Sequence, residues 1–417
     1  MGIGDKLKKA QSLGIAGTVK MAAVKWKKAE RSDGSPTAPG RRVILDRILS
    51  RGYKRIIIFE NHFGYKNIMM QRPQHLLTNM GDSDTLVLYN SYYDIDFEER
   101  GRITRIGRSV YVLDLYYFRK YLLEAVGKIE HRYLMVYSTD TVPMARITRY
   151  LKLGFRVIYE YVDDINPDLI APRKIRMVME RHRFLIGKRD ALVVTTADKL
   201  YENARKMAGA ADIALIPNGA ECGRFLPESI TEDREYLSWL RADRIHVGYY
   251  GALASWVDYE LLGRLADDER IQIILIGIEH DGSLAKSGLA ERENVRYFGR
   301  KDYTELAGYV HYFDVCVIPF AVNEITMATS PVKLFEYMAM GKPIVTTDLP
   351  ECRKYDVVRT AGSAEEFVRA VIECYEQRED NEMKERLREC AWQNDWSARA
   401  EELKRRLSQW EKDERQN

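Results

Sequence analysis

The chain has 417 residues, of which 46% are hydrophobic, and a formal net charge of only +3. At roughly 100 to 200 residues per domain, this length is enough for two hydrophobic cores. Lysine and arginine total 65 against 62 acidic residues, so the chain has no overall field that would hold a polyanion, and we expect no nucleic-acid partner.

The five cysteines are scattered and form no CxxC pair. This pattern fits neither a disulfide framework nor a zinc site and predicts a reducing compartment. No apolar run reaches the roughly 18 to 20 residues of a membrane-spanning helix, and the N-terminus lacks the features of a signal peptide. We therefore expect a protein that is made and kept in the cytoplasm.

Residues 1–30 differ in composition from the rest of the chain, with seven lysines against two acidic residues. Aliphatic residues and Trp26 are interspersed among the lysines. This favours a cationic amphipathic helix that lies on an anionic membrane surface, here the inner face of the cell membrane. A solvated helix or one packed on a domain is the alternative. Residues 32–40 have the composition of a flexible linker.

From residue 55 onward, short β-branched runs alternate with longer amphipathic stretches, which is typical of a parallel sheet wrapped by helices. One series of predicted strands comprises 55–59, 84–89, 110–114, 133–137, 155–160, 191–195 and 213–216. A second comprises 246–250, 271–276, 294–298, 314–319, 343–347 and 356–359. Two series predict an α/β protein with two doubly wound, Rossmann-like domains facing across a cleft.

The domain boundary is predicted at the turn tripeptide Pro217–Gly219. The predicted organisation is an N-terminal helix and linker over 1–40, a first domain over 41–218, a second over 219–395 and a C-terminal helix over 396–417. Ligands of open α/β sheets lie beyond the carboxyl ends of the strands, so the candidate site residues are sought there.

The sharpest local motif is a short predicted helix that begins at Pro331 and is capped by Gly341. Its N-terminal amides and Lys333 would attract a phosphate. Glu336 lies one turn further on, where a carboxylate can accept hydrogen bonds from vicinal sugar hydroxyls. Alternatively, Lys333 and Glu336 form an ordinary surface ion pair.

Five polar residues are candidates in the first domain: Asp163, Asp164 and His62 follow predicted strands, and Arg72 and His75 lie at the predicted start of a helix. Asp163 is a candidate general base, with Asp164 at the acceptor and His62 as a second candidate base. Arg72 and His75 are three residues apart and could face a phosphate or a sugar of the acceptor. Helix capping or packing is the alternative for the aspartates and for Arg72 and His75.

The sequence resembles the GT-B glycosyltransferases, specifically the retaining, family 4-like enzymes of the teichuronic acid and surface-polysaccharide branch. The resemblance covers nearly the whole chain. It is carried by the helix motif and by Gln71–His75, Pro217–Gly219, Phe225, Tyr250–Ala252, Trp256, Asp258, Asn294, Val295, Gly299 and Trp396. It implies a GT-B fold in which the C-terminal helix crosses back onto the first domain.

The resemblance also implies individual roles in binding a nucleoside diphosphate sugar. Glu336 would hold the donor ribose, and Thr329, Ser330, Pro331 and Val332 at the helix start would meet the diphosphate. Gly251 would belong to the donor site, and Phe298 and Arg300 would flank the base. Two features depart from the family: Ala328 stands where an acidic residue is common, and residues 251–259 contain no arginine or lysine.

The predicted function is transfer of a hexose or deoxyhexose from a nucleoside diphosphate sugar to a lipid-linked or growing cell-surface polysaccharide. Lys333 and the helix dipole would stabilise the departing diphosphate. Retention of configuration is implied by the resemblance alone. We expect no resident cofactor and no metal, since no DxD pattern lies at a cleft strand apart from Asp94 and Asp96, which follow two tyrosines in a predicted surface loop. A nucleotide-sugar hydrolase or epimerase, or a non-catalytic membrane-associated scaffold, are the alternatives.

Overall fold

The computed structural model describes residues 38–60, 64–66, 70–97, 102–138, 142–166, 170, 172–207, 209 and 211–415. The predicted membrane helix over 1–30 and the candidate base His62 lie outside these ranges. Within them, no helix combines the length and the apolar character needed to cross a bilayer. The described residues form two compact units, one up to Asn218 together with the segment from Trp396, and the other Gly219–Asp395. We call them the first and second units.

The first unit is built on an eight-stranded sheet in the order β3-β4-β2-β1-β5-β6-β7-β8. Its central strands are buried on both faces, as the β-branched run Ile56–Ile58 requires. Every strand pair is parallel except β3 with β4. The bounds are β1 Arg55–Phe59, β2 Thr85–Asn90, β3 Ile103–Gly107, β4 Val110–Leu113, β5 His131–Tyr137, β6 Arg156–Tyr161, β7 Ala191–Thr195 and β8 Asp212–Leu215.

Helices flank this sheet, and the C-terminal helix packs on the same unit. Trp396 at its start stacks on His75, with ring centroids 5.3 Å apart and planes at 2°. Near its end, Glu411 pairs with Arg55 at 2.7 Å and accepts a hydrogen bond from Tyr133. The α-helices are Ala38–Leu49, Arg72–Met80, Leu115–Ala125, Met144–Lys152, Pro172–Ile186, Asp198–Met207 and Trp396–Arg415, with 3-10 turns at Asp94–Asp96 and Val126–Lys128.

The second unit has a six-stranded sheet in the order β11-β10-β9-β12-β13-β14, with all pairs parallel. Its strands are β9 Ile245–Tyr250, β10 Ile271–Ile276, β11 Val295–Tyr297, β12 Val315–Ile318, β13 Ile344–Thr347 and β14 Arg359–Ala361. Its α-helices are Arg234–Trp239, Tyr259–Leu265, Ser283–Ser287, Leu306–Val310, Val332–Ala339, Pro350–Arg353, Ala364–Glu376 and Asn381–Gln393. The 3-10 turns are Cys222–Arg224, Leu289–Glu291 and Thr326–Ala328.

The prediction of an α/β fold with two doubly wound domains is confirmed, because both sheets are parallel apart from the edge pair β3 and β4 and all thirteen predicted strands have a counterpart. The prediction missed the antiparallel edge strand β3 and placed β14 three residues early. The linker predicted for 32–40 ends inside a helix, since residues 38–40 form the first turn of Ala38–Leu49; residues 32–37 lie outside the described ranges. All five cysteines are free, and four of them are buried.

Candidate donor-binding site

The centre of the second sheet provides the crevice expected of a doubly wound fold. β9 lies between β10 and β12, so the chain connections leave the sheet in opposite directions on the two sides of β9. Gly251 follows β9 with φ 141°, and Gly277 follows β10 with φ 143°. A Cβ atom on Gly277 would lie 1.8 Å from the Gly251 carbonyl oxygen. The two backbones therefore approach so closely that only glycine fits there.

An eight-residue helix, Val332–Ala339, follows β12. Pro331 has extended torsions (φ −72°, ψ 115°) and caps its N-terminus. At the other end, Gly341 has φ 65°, and its amide donates to the Met338 carbonyl at 2.8 Å. The helix predicted from Pro331 to the Gly341 cap is thus confirmed to within a residue at its start.

Lys333 lies in the first turn of this helix, with its amine against the end of β9. A Cβ atom on Gly251 would come within 2.9 Å of Lys333 Cε and 3.2 Å of Nζ. The amine also lies 4.9 Å from the ring centroid of Phe320 and 5.3 Å from that of Tyr249. No carboxylate forms an ion pair with Lys333 among the described residues, and burial lowers its pKa to about 8. A cation in this position is ready to receive an anion.

Glu336 is buried one turn further along the same helix, with 2% of its surface exposed. Tyr303 donates a hydrogen bond of 2.7 Å to Oε1, and the hydroxyl of Tyr250 donates to Oε2. Burial raises the pKa of Glu336, while the two tyrosine hydroxyls and Lys333 oppose that rise. Lys333 and Glu336 therefore do not form the exposed ion pair of the alternative interpretation.

Two tyrosines to which the sequence analysis assigned no role, Tyr250 and Tyr303, hold this carboxylate in place. The ring of Tyr250 packs edge-on against Tyr337 at 5.0 Å, and the Tyr250 amide donates to the Tyr337 hydroxyl at 3.1 Å. Tyr303 packs edge-on against Phe225 at 5.7 Å. Tyr303 comes four residues after Gly299, in the loop predicted to meet the base, and that proximity is the one signal that could have identified it.

Comparison with known proteins places this site within a recognised domain. Residues 252–377, which include Lys333 and Glu336, match the family model described as "Glycosyl transferases group 1". Over 232 residues the chain is 26% identical to TuaH of Bacillus subtilis (strain 168), which is named as a teichuronic acid biosynthesis glycosyltransferase. That match covers 53% of this chain and 58% of the relative, so the chain spans little more than half the length of that protein.

Solved structures share the fold over most of the chain. A sucrose-phosphate synthase from Thermosynechococcus elongatus aligns with a TM-score of 0.62 at 15% identity, covering 85% of this chain and 98% of its own. Anabaena HepE, solved in complex with UDP and glucose, aligns with a TM-score of 0.58 at 15% identity. The alignment covers 85% of this chain and 100% of HepE. The chain has the GT-B fold, and its residues 252–377 match the group 1 glycosyl transferases. The predicted resemblance to this family, and to its teichuronic acid branch, is confirmed.

The other residues predicted to meet the diphosphate lie at the start of the Val332–Ala339 helix, and their side chains mostly make local contacts. Thr329 Oγ1 donates to the Ile325 carbonyl at 2.9 Å, and Ser330 and Pro331 are buried next to Val332 in the first turn. Ala328, in place of the family's acidic residue, is 2% exposed. The helix start therefore presents mainly backbone amides and the Lys333 side chain.

The loop after β11 comes close to the two glycines through its backbone. The Gly277 amide donates to the Gly299 carbonyl at 2.9 Å. Phe298, however, packs edge-on against Tyr236 at 5.0 Å and contributes to an aromatic cluster, while Arg300 is exposed. The structure thus brings Gly251, Lys333 and Glu336 together, whereas the Phe298 ring packs into the aromatic cluster.

In the first unit, Asp163 and Asp164 follow β6. Asp164 Oδ1 accepts hydrogen bonds from the Tyr161 hydroxyl at 3.3 Å and from the Ile165 amide at 3.0 Å. Asp163 has no hydrogen-bond partner among the described residues, and burial, together with the charge of Asp164, raises its pKa to about 6. A partly buried carboxyl with this pKa can accept a proton near neutral pH.

Arg72 and His75 lie in the first turn of the Arg72–Met80 helix and are both buried. Arg72 Nε donates to Glu160, and its Nη1 donates to the Pro217 carbonyl at 2.9 Å. His75 stacks on Trp396. These contacts are those of the packing alternative for both side chains.

The DxD pattern is part of a loop turn. Asp96 is 1% exposed and accepts hydrogen bonds from the Tyr65 amide at 2.8 Å and the Lys66 amide at 2.6 Å. Asp94 pairs with Arg102. In the part of the chain that the structure describes, no three histidine, cysteine, aspartate or glutamate side chains are grouped closely enough to hold a metal ion.

Proposed function

We propose that the protein transfers a sugar from a nucleoside diphosphate sugar to a hydroxyl of a lipid-linked or growing cell-surface polysaccharide. In the reaction, the bond between the sugar C1 and the diphosphate oxygen breaks and the nucleoside diphosphate departs. The acceptor oxygen bonds to C1, and the acceptor proton is lost. The configuration at C1 is retained, and the transferred sugar is a hexose or deoxyhexose.

The observation that carries this proposal is the position of Lys333. Its amine lies against Gly251 at the switch point of the second sheet, without a carboxylate partner among the described residues. The glycine pair lets the ends of β9 and β10 and the Lys333 side chain come together there, and the amides at the start of the Val332–Ala339 helix add partial positive charge. A departing diphosphate is the group that this arrangement would stabilise best.

Glu336 and Asp163 have complementary roles in this proposal. Glu336 binds vicinal hydroxyls of the donor ribose through the oxygen that Tyr303 now contacts. Asp163, whose pKa is raised to about 6, orients or deprotonates the acceptor hydroxyl. The reaction proceeds without a metal ion, because amides and Lys333 carry the leaving-group charge.

The biological setting is part of the same proposal. Support comes from the match to the group 1 family model and from TuaH, the relative named for teichuronic acid biosynthesis. A related fold was solved with UDP-glucose, in Anabaena HepE. We propose that the enzyme works on the inner face of the cell membrane and that the cationic residues 1–30 contact anionic lipid.

Nucleotide binding by the full-length chain tests the core of the proposal. UDP, GDP, dTDP and CMP are compared by thermal shift, since a nucleotide that binds the folded state raises the melting temperature by mass action. One nucleoside diphosphate should stabilise the wild type, and the Lys333→Ala and Glu336→Ala variants should lose that shift. If none of the four nucleotides raises the melting temperature, the scaffold alternative is favoured.

Product analysis with the matching nucleotide sugar then separates the enzymatic alternatives. A transferase consumes donor appreciably only when an acceptor glycan is present. If free sugar is released at the same rate without acceptor, the protein is a hydrolase. If the donor is converted to its epimer at the same rate without acceptor, the protein is an epimerase.

A further inference from the structure

A surface groove lies in the first unit between the Ala38–Leu49 helix and the edge of the sheet, far in the strand order from β7 and β8. Its volume is about 220 Å³. The lining residues alternate between apolar and basic: Ile44, Ile48, Ile103 and Tyr111 form the apolar part, and Arg47, Arg51 and Arg105 form the basic part. We call it the arginine groove.

The arginine groove is the centre of a wider basic surface. The two segments that form it, residues 38–52 and 102–113, contain seven arginines and a single acidic residue, Asp46. Asp46 lies 3.9 Å from Arg42, and Arg102 pairs with Asp94 outside these segments. In a chain with a net charge of only +3, this is a marked local concentration of positive charge.

The three arginines of the groove itself have no carboxylate partner. Arg47, Arg51 and Arg105 are all exposed, and none forms an ion pair within the described residues. Among the described residues, the one hydrogen bond of these three side chains is from Arg105 Nε to the Gly107 carbonyl, at 3.0 Å. Exposed guanidinium groups that line one concavity without a carboxylate partner are available to donate hydrogen bonds to an anion.

The apolar side chains at the groove indicate which kind of anion would bind there. Ile44 and Ile103 are partly exposed at the groove, and Val43 on the same helix is 57% exposed. Aliphatic side chains mixed with arginines suit the boundary between lipid headgroups and acyl chains. The chain's own residues 1–30 are an unsuitable occupant, because their seven lysines would be repelled by the arginines.

We propose that the arginine groove binds the headgroup phosphate of an anionic membrane lipid and holds this edge of the first unit on the bilayer surface. Each guanidinium donates to phosphate oxygens, and Val43, Ile44 and Ile103 enter the headgroup boundary. The contact is formed by the folded unit itself, independently of residues 1–30 and of the transferase activity proposed above.

Vesicle co-sedimentation of the full-length chain tests this site. Vesicles of phosphatidylcholine with about one third phosphatidylglycerol are compared with vesicles of pure phosphatidylcholine. At about 1 kcal/mol per arginine near an anionic surface, the triple variant Arg47→Gln, Arg51→Gln, Arg105→Gln should reduce partitioning onto the anionic vesicles by about 100-fold. Replacing the same three arginines by lysine should retain most of the binding, because the charge is kept.

The matched control removes three exposed arginines near the opposite edge of the same sheet, Arg183→Gln, Arg189→Gln and Arg205→Gln. The control should stay within a few-fold of the wild type, with all variants melting at similar temperatures. Equal loss in the groove and control variants would overturn the proposal, since it would reveal only a general charge effect. It would also be overturned if wild-type binding to the anionic vesicles were abolished by millimolar inorganic phosphate, or if the chain bound duplex DNA as tightly as these vesicles.

Discussion

The hydroxyl of Tyr303 donates a 2.7 Å hydrogen bond to Oε1 of Glu336, the carboxylate proposed to hold the donor ribose. The other carboxylate oxygen is held by Tyr250, which is 5% exposed, whereas Tyr303 is only partly buried in a loop. The two tyrosines are therefore not equivalent. Tyr250 fixes the carboxylate from the interior, and in the proposed function Tyr303 occupies the position that a ribose hydroxyl would take.

Replacing each tyrosine by phenylalanine should separate these roles. Tyr303→Phe should lower the stability of the ligand-free protein by about 1 to 2 kcal/mol, because a buried acceptor loses its donor. Its affinity for the nucleoside diphosphate should be equal to or a few-fold higher than that of the wild type, since the ribose supplies the missing hydroxyl. Isothermal titration calorimetry and urea unfolding measure the two effects.

Tyr250→Phe is the matched control, with the same chemical change on the other carboxylate oxygen. It should destabilise the protein to a similar or greater extent and should also weaken nucleotide binding, because the orientation of Glu336 is lost. If Tyr303→Phe weakens nucleotide binding as much as Tyr250→Phe, then Tyr303 supports the site and does not compete for it.

Lys333 should destabilise the ligand-free protein. Burial lowers its pKa to about 8, and no carboxylate pairs with it in the described part of the chain. Lys333→Met should therefore raise the free energy of unfolding at pH 7 by about 1 to 2 kcal/mol while abolishing nucleotide binding, as expected for a charge kept for function. Urea unfolding and calorimetric titration with nucleoside diphosphate measure the two changes.

Lys342 provides the comparison for this prediction. Burial also lowers its pKa, but its amine donates to the His311 carbonyl at 2.5 Å. Lys342→Met should destabilise the protein by leaving that carbonyl without a partner, and nucleotide binding should be unchanged. A stable Lys333→Met variant that still binds nucleotide at wild-type affinity would remove Lys333 from the site.

The fold was largely predictable from sequence because buried parallel strands appear as continuous apolar runs, such as residues 56–59 and 273–276. The edge strand β3, Ile103–Gly107, was missed because its burial is partial and its sequence carries an arginine and a terminal glycine. The short helix after β12 was predictable because Pro331 and Gly341 mark its two ends locally.

The site was only partly predictable, because its partners come together through long-range contacts. Tyr250 and Tyr303 are 86 and 33 residues from Glu336 in the chain, and no local pattern links them to it. In the same way, nothing near Arg72 in sequence indicates Glu160, 88 residues away, as its partner. Residue type and strand-end position identified Lys333 and Glu336, but not which side chains would enclose them.

The pH dependence of activity should be bell-shaped if Asp163 and Lys333 act as proposed. Asp163 must be deprotonated to accept a proton, so kcat/KM should fall as the pH drops below about 6. Lys333 must be protonated to bind the diphosphate, so nucleotide affinity and kcat/KM should fall as the pH rises above about 8. The profile of kcat/KM against pH measures both limbs.

Two variants assign the limbs to these residues. Lys333→Arg keeps its charge at high pH and should move the alkaline limb beyond pH 8 without changing the acid limb. Asp163→Asn should lose most of the activity while leaving nucleotide affinity, measured by calorimetry, close to that of the wild type. Persistence of the alkaline limb near pH 8 in Lys333→Arg would contradict the assignment to Lys333.

The buried ion pair of Arg72 and Glu160 should control stability and not acceptor affinity. Arg72 is 3% exposed and Glu160 is fully buried, so removing either partner leaves an uncompensated interior charge. Arg72→Met and Glu160→Gln should each destabilise the chain by about 3 to 5 kcal/mol, and the double variant Arg72→Met, Glu160→Met should recover part of that loss. Urea unfolding of the full-length chain measures these changes. A stable Arg72→Met variant with a raised KM for acceptor would instead restore the acceptor role that the sequence alone predicts.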